Sequence, residues 1–175
     1  MRTGVTIVAC IMLATVGGLI FIYSGLYDVS AMRPDNPVLA WALHKTFNES
    51  VAYHSQGLQA PSDLERPENV RSGARFFRDN CTVCHGAPGM QPSNISQGLL
   101  PSPPDLLRAG RRNDPVEVFW IAKNGVNMTG MPAFGKTLSD EQIWAMAAFL
   151  HKSRGIAAQD FQTLSGVEPA KTDGG

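Results

Sequence analysis

Apolar and uncharged positions run unbroken from Val5 to Tyr23 (VTIVACIMLATVGGLIFIY), 19 residues that as a helix extend about 28 Å, the hydrocarbon thickness of a bilayer. The pattern predicts a transmembrane helix. It is longer than the roughly 7 to 15 apolar residues of a cleaved signal peptide, although Val29-Ser30-Ala31 would suit a processing enzyme. Residues 1–27 are therefore expected to stay as an anchor. Ile7-Val8-Ala9-Cys10 resembles a lipoprotein processing box, but the apolar run continues well past Cys10. Cys10 is accordingly read as a small residue within the span. Arg2 and Arg33 lie on opposite sides of the run, so charge alone does not orient it.

Beyond the span the hydrophobic period becomes helical. Within a polar linker assigned to residues 28–66, Asn36 can cap a helix with Pro37 in its first turn, and Leu39, Leu43, Phe47 and Val51 fall on one stripe of an amphipathic helix over about 37–54. That face can pack on the following domain, or on the membrane or a partner subunit. Gln56–Pro67 reads as linker. Glu68–Asn80 predicts a helix carrying Val70, Gly73, Ala74 and Phe77. Asp114, Pro115 and Glu117 predict a capped helix start, with a capping box, and Gly125 its end. Ser139 and Gln142 form a second capping box, Leu138 and Ile143 a hydrophobic staple, and Gly155 follows a basic last turn. The inner face of this last helix is expected to be Ile143, Met146, Ala147 and Leu150, with Trp144 beside it. No stretch alternates as a strand does, so the fold class is all-α. Residues 156–175, polar and Gly-rich from Ser165 onward, are expected to be a disordered tail.

Lys+Arg and Asp+Glu are equal at 15 each, which argues against nucleic acid as the ligand. Glycine and proline number 17 and 12 and concentrate between Ala87 and Pro104, predicting long loops. With three cysteines, one inside the apolar run, no disulfide scaffold is available. The other two stand in Cys81-Thr-Val-Cys84-His85, a C-x-x-C-H pattern that is the attachment signature of c-type haem. One helical turn sets two thiols to add to the two haem vinyl groups while the adjacent imidazole reaches the iron. A thioredoxin-like pair would need a βαβ context, whereas the flanks are helical. A structural zinc would need further ligands, and adjacent Cys84 and His85 cannot easily share one tetrahedral ion.

The iron's sixth position separates carriers from enzymes, and a methionine sulfur there raises the potential and closes the site. Met128 and Met131 both lie in the segment Asn124–Gly135 between two helices. Met131 is the better candidate, because Gly130 and Pro132 hold an extended loop that can lay its side chain on the porphyrin.

From about Pro67 to Gly155 the chain resembles a class I cytochrome c domain. The resemblance rests on Gly73 and Phe77, the Cys81, Cys84 and His85 cluster, the Gly130-Met131-Pro132 loop, and the Trp144–Leu150 face. It implies that the first and last helices of the domain cross, with Gly73 and Phe77 meeting Trp144, Ala147 and Leu150. It also implies that a carbonyl from the loop of Pro101, Pro103 and Pro104 accepts a hydrogen bond from His85. Phe119, Trp120, Ile121, Leu106 and Phe134 are either haem wall or ordinary core. Arg108, Arg111 and Arg112 face the haem propionates, an acidic partner, or solvent. His44, His54 and His151 stand outside any ligand pattern.

The expectation is a cytochrome c domain at 67–155 with one covalent haem c, held by Cys81 and Cys84 and ligated through its iron by His85 and Met131. With both axial positions filled there is no place for a substrate, so the chain is read as an electron-transfer protein rather than an enzyme. The resemblance implies a haem domain in the periplasm of a bacterial inner membrane. Its partners would be redox proteins, in a free carrier or as a subunit of a respiratory or dehydrogenase complex. The alternative is a haem enzyme or a gas or redox sensor with a displaceable Met131.

Overall fold

The computed structural model describes residues 2–91 and 93–166 of the 175-residue chain. The chain divides into two compact units, Met1–Pro34 and Asp35–Gly175. In the first, α1 (Arg2–Tyr23) is one uninterrupted apolar helix, the candidate membrane span. Two of its threonines bond back to the helix: Thr6 Oγ1 donates to the Arg2 carbonyl at 3.0 Å and Thr15 Oγ1 to the Ile11 carbonyl at 2.9 Å.

The second unit is all-helical, and among the described residues its only β pairing is an isolated bridge between Ala87 and Met90. Helix α2 (Pro37–His54) begins as expected, with the Asn36 side chain accepting from Val38 N at 2.9 Å. Its C-terminal end packs on α6 (Pro115–Asn124): Val51 is buried and the His54 ring stacks on Trp120 with centroids 5.5 Å apart. The N-terminal half stays exposed, including Trp41 and Leu43.

Of the residues 28–66 expected as linker, 28–34 group with α1 and 35–66 with the helical unit that follows. Leu64 is buried, Asn69 Nδ2 donates to the Asp63 carbonyl at 2.8 Å, and Lys152 Nζ donates to Glu65 at 2.8 Å. These contacts anchor a segment whose prolines and polar residues look like linker.

The core lies where α3 (Pro67–Asn80) crosses α7 (Asp140–Lys152). Gly73 makes the crossing possible, since a Cβ there would lie 1.9 Å from the Ala145 carbonyl oxygen and 2.5 Å from its carbon. The expected partner of Phe77 differs. Trp144 turns to α6 and stacks on Phe119 at 4.0 Å with the rings nearly parallel. Phe77 instead meets Phe149 at 5.5 Å and Phe161 at 6.2 Å. Consecutive helix positions point about 100° apart, so with Ala145 at the crossing Trp144 is carried onto the side facing α6.

Phe161 belongs to α8 (Ala158–Ser165), which forms where a disordered tail was expected. Phe161 is buried, with Phe149 at 6.0 Å; Arg78 Nη1 donates to the Ser165 carbonyl, and Gly166 ends the helix at φ +74°. An eight-residue helix is too short to stand alone in water; burial of its one aromatic holds it. Residues 167–175 lie outside the described residues. Helix α8 packs on α3 and reaches α7 through the Phe161 ring; α7 is buried on more than its predicted face, and Phe149 joins the core.

The capping box of Ser139 and Gln142 is present, with both reciprocal hydrogen bonds. At α6 only half of the expected box forms. Asp114 accepts from Val116 N and Glu117 N, but Glu117 turns toward Arg112, 3.7 Å away, rather than back to the cap.

Candidate haem site

Helix α3 delivers the cysteine pair directly. Cys81 N donates to the Phe77 carbonyl at 2.9 Å, and one turn of helix, α4 (Thr82–His85), follows with His85 N donating to the Cys81 carbonyl at 2.8 Å. That turn sets Cys81, Cys84 and His85 at consecutive corners of one short helix, as thioether attachment beside an axial imidazole requires. The thiols are not joined to each other. Cys81 is buried against the core, its Sγ 3.5 Å from the Met146 sulfur, and burial pushes its thiol up to about 12, so it stays neutral. The turn is clasped from outside by α5 (Asn94–Gln97): Ser96 Oγ donates to the Cys84 carbonyl at 2.6 Å, and Ser93 Oγ to the Val83 carbonyl.

Among the three prolines the structure selects Pro104, whose carbonyl lies 2.8 Å from His85 Nδ1. A carbonyl can only accept, so Nδ1 carries the proton and Nε2 keeps its lone pair. Burial holds the imidazole below its ordinary 6.5; the Pro104 hydrogen bond opposes this and the nearby Arg111 charge adds to it. His85 is thus a neutral, oriented imidazole with one free nitrogen.

The two methionines part company. Met128 is 91% exposed at φ +59°, whereas Met131 packs against the hydrophobic core together with Leu106, Phe134 and Trp144. The loop around Met131 is closed on itself, with Val126 N donating to the Met131 carbonyl at 3.2 Å and Met131 N to Thr129 Oγ1 at 3.1 Å. Gly125 starts it at φ +68°, where a Cβ would lie 2.7 Å from Ala133 N. Only glycine meets both conditions.

This donor set suits a porphyrin iron. It offers two free thiols, one imidazole nitrogen and a soft thioether set in apolar surroundings, the ligands that c-type haem takes. Among the described residues no group of three or more His, Cys, Asp and Glu side chains converges to hold a bare metal ion.

Of the remaining candidates, Phe119 is core, Trp120 lies against α2, and Arg112 pairs with Asp114 at 3.4 Å and with Glu117. Arg111 Nε donates to Asn113 Oδ1 at 3.0 Å, and Arg108 is exposed. His151 Nδ1 lies 3.0 Å from the Asn113 carbonyl. Sequence reasoning passed over Ser96 and Asn113. The first carried no signal; the second stands one residue before a helix cap, in a positive-φ position that asparagine tolerates better than most residues.

An all-helical body with a glycine-mediated crossing and a C-x-x-C-H turn leading from it defines a c-type cytochrome. Comparison with known proteins narrows this. Residues 68–150 match the family described as cytochrome C oxidase, cbb3-type, subunit III. The chain is 27% identical over 133 residues to the gluconate 2-dehydrogenase cytochrome c subunit of Pantoea cypripedii, covering 71% of this chain and 29% of that protein. It is 29% identical over 132 residues to the cbb3-type cytochrome c oxidase subunit FixP of Rhizobium meliloti (strain 1021), covering 73% and 40%. It is 30% identical over 82 residues to cytochrome c6 of Synechococcus sp. (strain ATCC 27167 / PCC 6312), covering 47% and 68%. The chain thus spans less than half the length of the first two relatives. No solved structure matches significantly. The chain belongs to the class I c-type cytochromes.

Proposed function

We propose that this chain is a membrane-anchored monohaem cytochrome that passes single electrons between redox partners. Cys81 and Cys84 hold the haem as thioethers, and His85 and Met131 are its axial ligands. The observation that carries this reading is the His85 ring, fixed through Nδ1 on the Pro104 carbonyl with Nε2 free, one residue beyond the second of two unpaired thiols. The haem would supply a one-electron Fe(III)/Fe(II) couple. The protein residues orient the imidazole, keep the methionine loop closed and place apolar side chains around the site. None of these residues is a general acid or base, which favours a carrier over an enzyme.

Haem attachment of this kind takes place outside the cytoplasm, so the body would face the periplasm, tethered by α1 to the bacterial inner membrane. The relatives named as subunits of a gluconate dehydrogenase and of a cbb3-type oxidase favour a subunit of a dehydrogenase or respiratory complex over a free carrier.

Oxidised and reduced spectra of the protein and of Met131→Ala and Met128→Ala test the ligand set. Met131→Ala is expected to lose the weak far-red sulfur-to-iron band and to bind carbon monoxide readily when reduced; Met128→Ala should match the parent. A spectrum unchanged by Met131→Ala would remove Met131 as ligand and reopen the sensor reading.

A further inference from the structure

The proximal side of the site holds a polar residue that the ligand set does not use. Asn113 is only 4% exposed and sits at φ +42°, directly before the Asp114 cap of α6. Its amide group is fully engaged. Nδ2 donates to the Leu106 carbonyl at 2.7 Å and to the Leu150 carbonyl at 2.9 Å, while Oδ1 accepts from Arg111 Nε at 3.0 Å. Leu106 lies two residues after Pro104, whose carbonyl holds the His85 ring; Leu150 lies in the last turn of α7. A second tie runs alongside, with Gly155 N donating to the Leu107 carbonyl at 2.7 Å. The loop bearing the Pro104 carbonyl is thus fastened to the C-terminal end of α7 at adjacent residues, and one of the two fastenings is a side chain.

A buried asparagine in a positive-φ position is disfavoured on two counts. Desolvating the amide is unfavourable unless it is paired, and left-handed backbone is uncommon outside glycine. The site needs what this amide offers, two donors and one acceptor in one plane. Leucine or valine of similar size would leave two buried carbonyls without this donor. Serine would reach neither with two hydrogens.

We propose that Asn113 is a positioning residue for the iron centre, holding the Pro104 loop on α7 and through it the orientation and hydrogen bond of the His85 imidazole. The inference rests on His85 being the axial ligand. The bond from Nδ1 to a carbonyl gives the imidazole more electron density and so favours Fe(III); loosening its acceptor should weaken that effect and raise the potential.

The test uses the full-length, haem-bearing protein with Asn113→Gly, Asn113→Asp and, as a control, Arg78→Ala, which removes the α3 tie to Ser165. Asn113→Gly keeps the backbone conformation and deletes the side-chain bonds. Asn113→Asp keeps the shape and sets a carboxylate against two carbonyl oxygens. Redox titration and the ferric proton NMR shifts of the haem methyls are read beside thermal stability. Both Asn113 variants are expected to shift the one-electron equilibrium three- to tenfold toward Fe(II), about 30–60 mV upward at 59 mV per decade, with moved methyl shifts. Arg78→Ala should lower the melting temperature only. An unmoved potential and unmoved methyl shifts in Asn113→Gly would overturn the proposal whatever its stability. If His85 were not the ligand, the unsubstituted protein would already lack a His/Met spectrum, a failure visible before any variant is made.

Discussion

Replacing Gly73 by alanine tests the architecture at its tightest point. The added methyl carbon would lie 1.9 Å from the Ala145 carbonyl oxygen, 2.5 Å from that carbonyl carbon and 2.9 Å from Met146 N. All three are backbone atoms of a helix, so no rotamer change relieves them. The helices must part by about 1.4 Å to reach the ~3.3 Å at which a carbon rests on a carbonyl oxygen. Two effects of opposite sign follow. Alanine is favoured over glycine inside a helix by about 1 kcal/mol. Overpacking a filled core costs about 1–3 kcal/mol, with the upper end apt where the backbone itself must move. Separation also loosens Phe77 against Phe149; losing a third of the roughly 3–5 kcal/mol that a buried Phe contributes adds about 1 kcal/mol. The net expectation is a loss of about 2–3 kcal/mol, which for a body of this size lowers Tm by about 10 °C. Thermal unfolding of the haem-bearing protein, followed by far-ultraviolet circular dichroism, reads this directly. A Gly73→Ala protein melting at or above the parent would mean that helix preference outweighs the crossing, and the close approach of α3 and α7 would have to be abandoned.

Three further outcomes are expected. Phe161→Ala should destabilise the fold by about 3–5 kcal/mol in urea unfolding, as a core residue would; a loss below about 1 kcal/mol would show that α8 does not complete the core. Ser139→Ala should cost about 1 kcal/mol by removing the side chain that accepts from Gln142 N, and an unchanged unfolding midpoint would dismiss the capping box as a contributor. The Glu65 carboxylate is held below its ordinary 4.5 chiefly by the hydrogen bond and charge of Lys152. A depressed folded value gives stability that is present above pH 4.5 and is lost as pH falls through the lower folded value. The stability gap between the parent and Lys152→Ala should therefore shrink as pH falls below 4.5, and a gap that stays constant on acidification would contradict the pairing.

The parts of the fold that were legible in the sequence are those fixed by neighbours in the chain. Asn36-Pro37 and Ser139 with Gln142 announce their helix starts because a cap is satisfied within three residues. The Cys81–His85 turn is equally local. What escaped depends on which helix covers which. The resemblance implies that Trp144 meets Phe77, yet the crossing sets Trp144 on Phe119 and Phe77 on Phe149. Phe149 was left off the inner face because its partner Phe161 lies in a segment too short and too polar to announce a helix. Asn113 was not readable in the sequence, since its three partners are 2, 7 and 37 residues away and none is implied by composition.

These misses and successes belong to one closed circuit. Helix α3 leads into Cys81 and His85; His85 is held by Pro104; the loop after Pro104 is held through Asn113 to Leu150; and Leu150 lies on α7, whose Ala145 rests on Gly73 of α3. Each link is individually ordinary, a hydrogen bond worth about 1 kcal/mol or a close packing contact. Joined in a ring, they leave the imidazole no single soft direction in which to turn, because displacing any member strains the next. As the axial ligand proposed above, so rigid an imidazole would suit a centre that gains and loses an electron, since geometry that barely changes between oxidation states adds little to the barrier of transfer. The same circuit explains why a polar asparagine is retained in the core beside a hydrophobic helix crossing. The crossing fixes where α7 lies, and the asparagine carries that position through the Pro104 loop to the His85 ring.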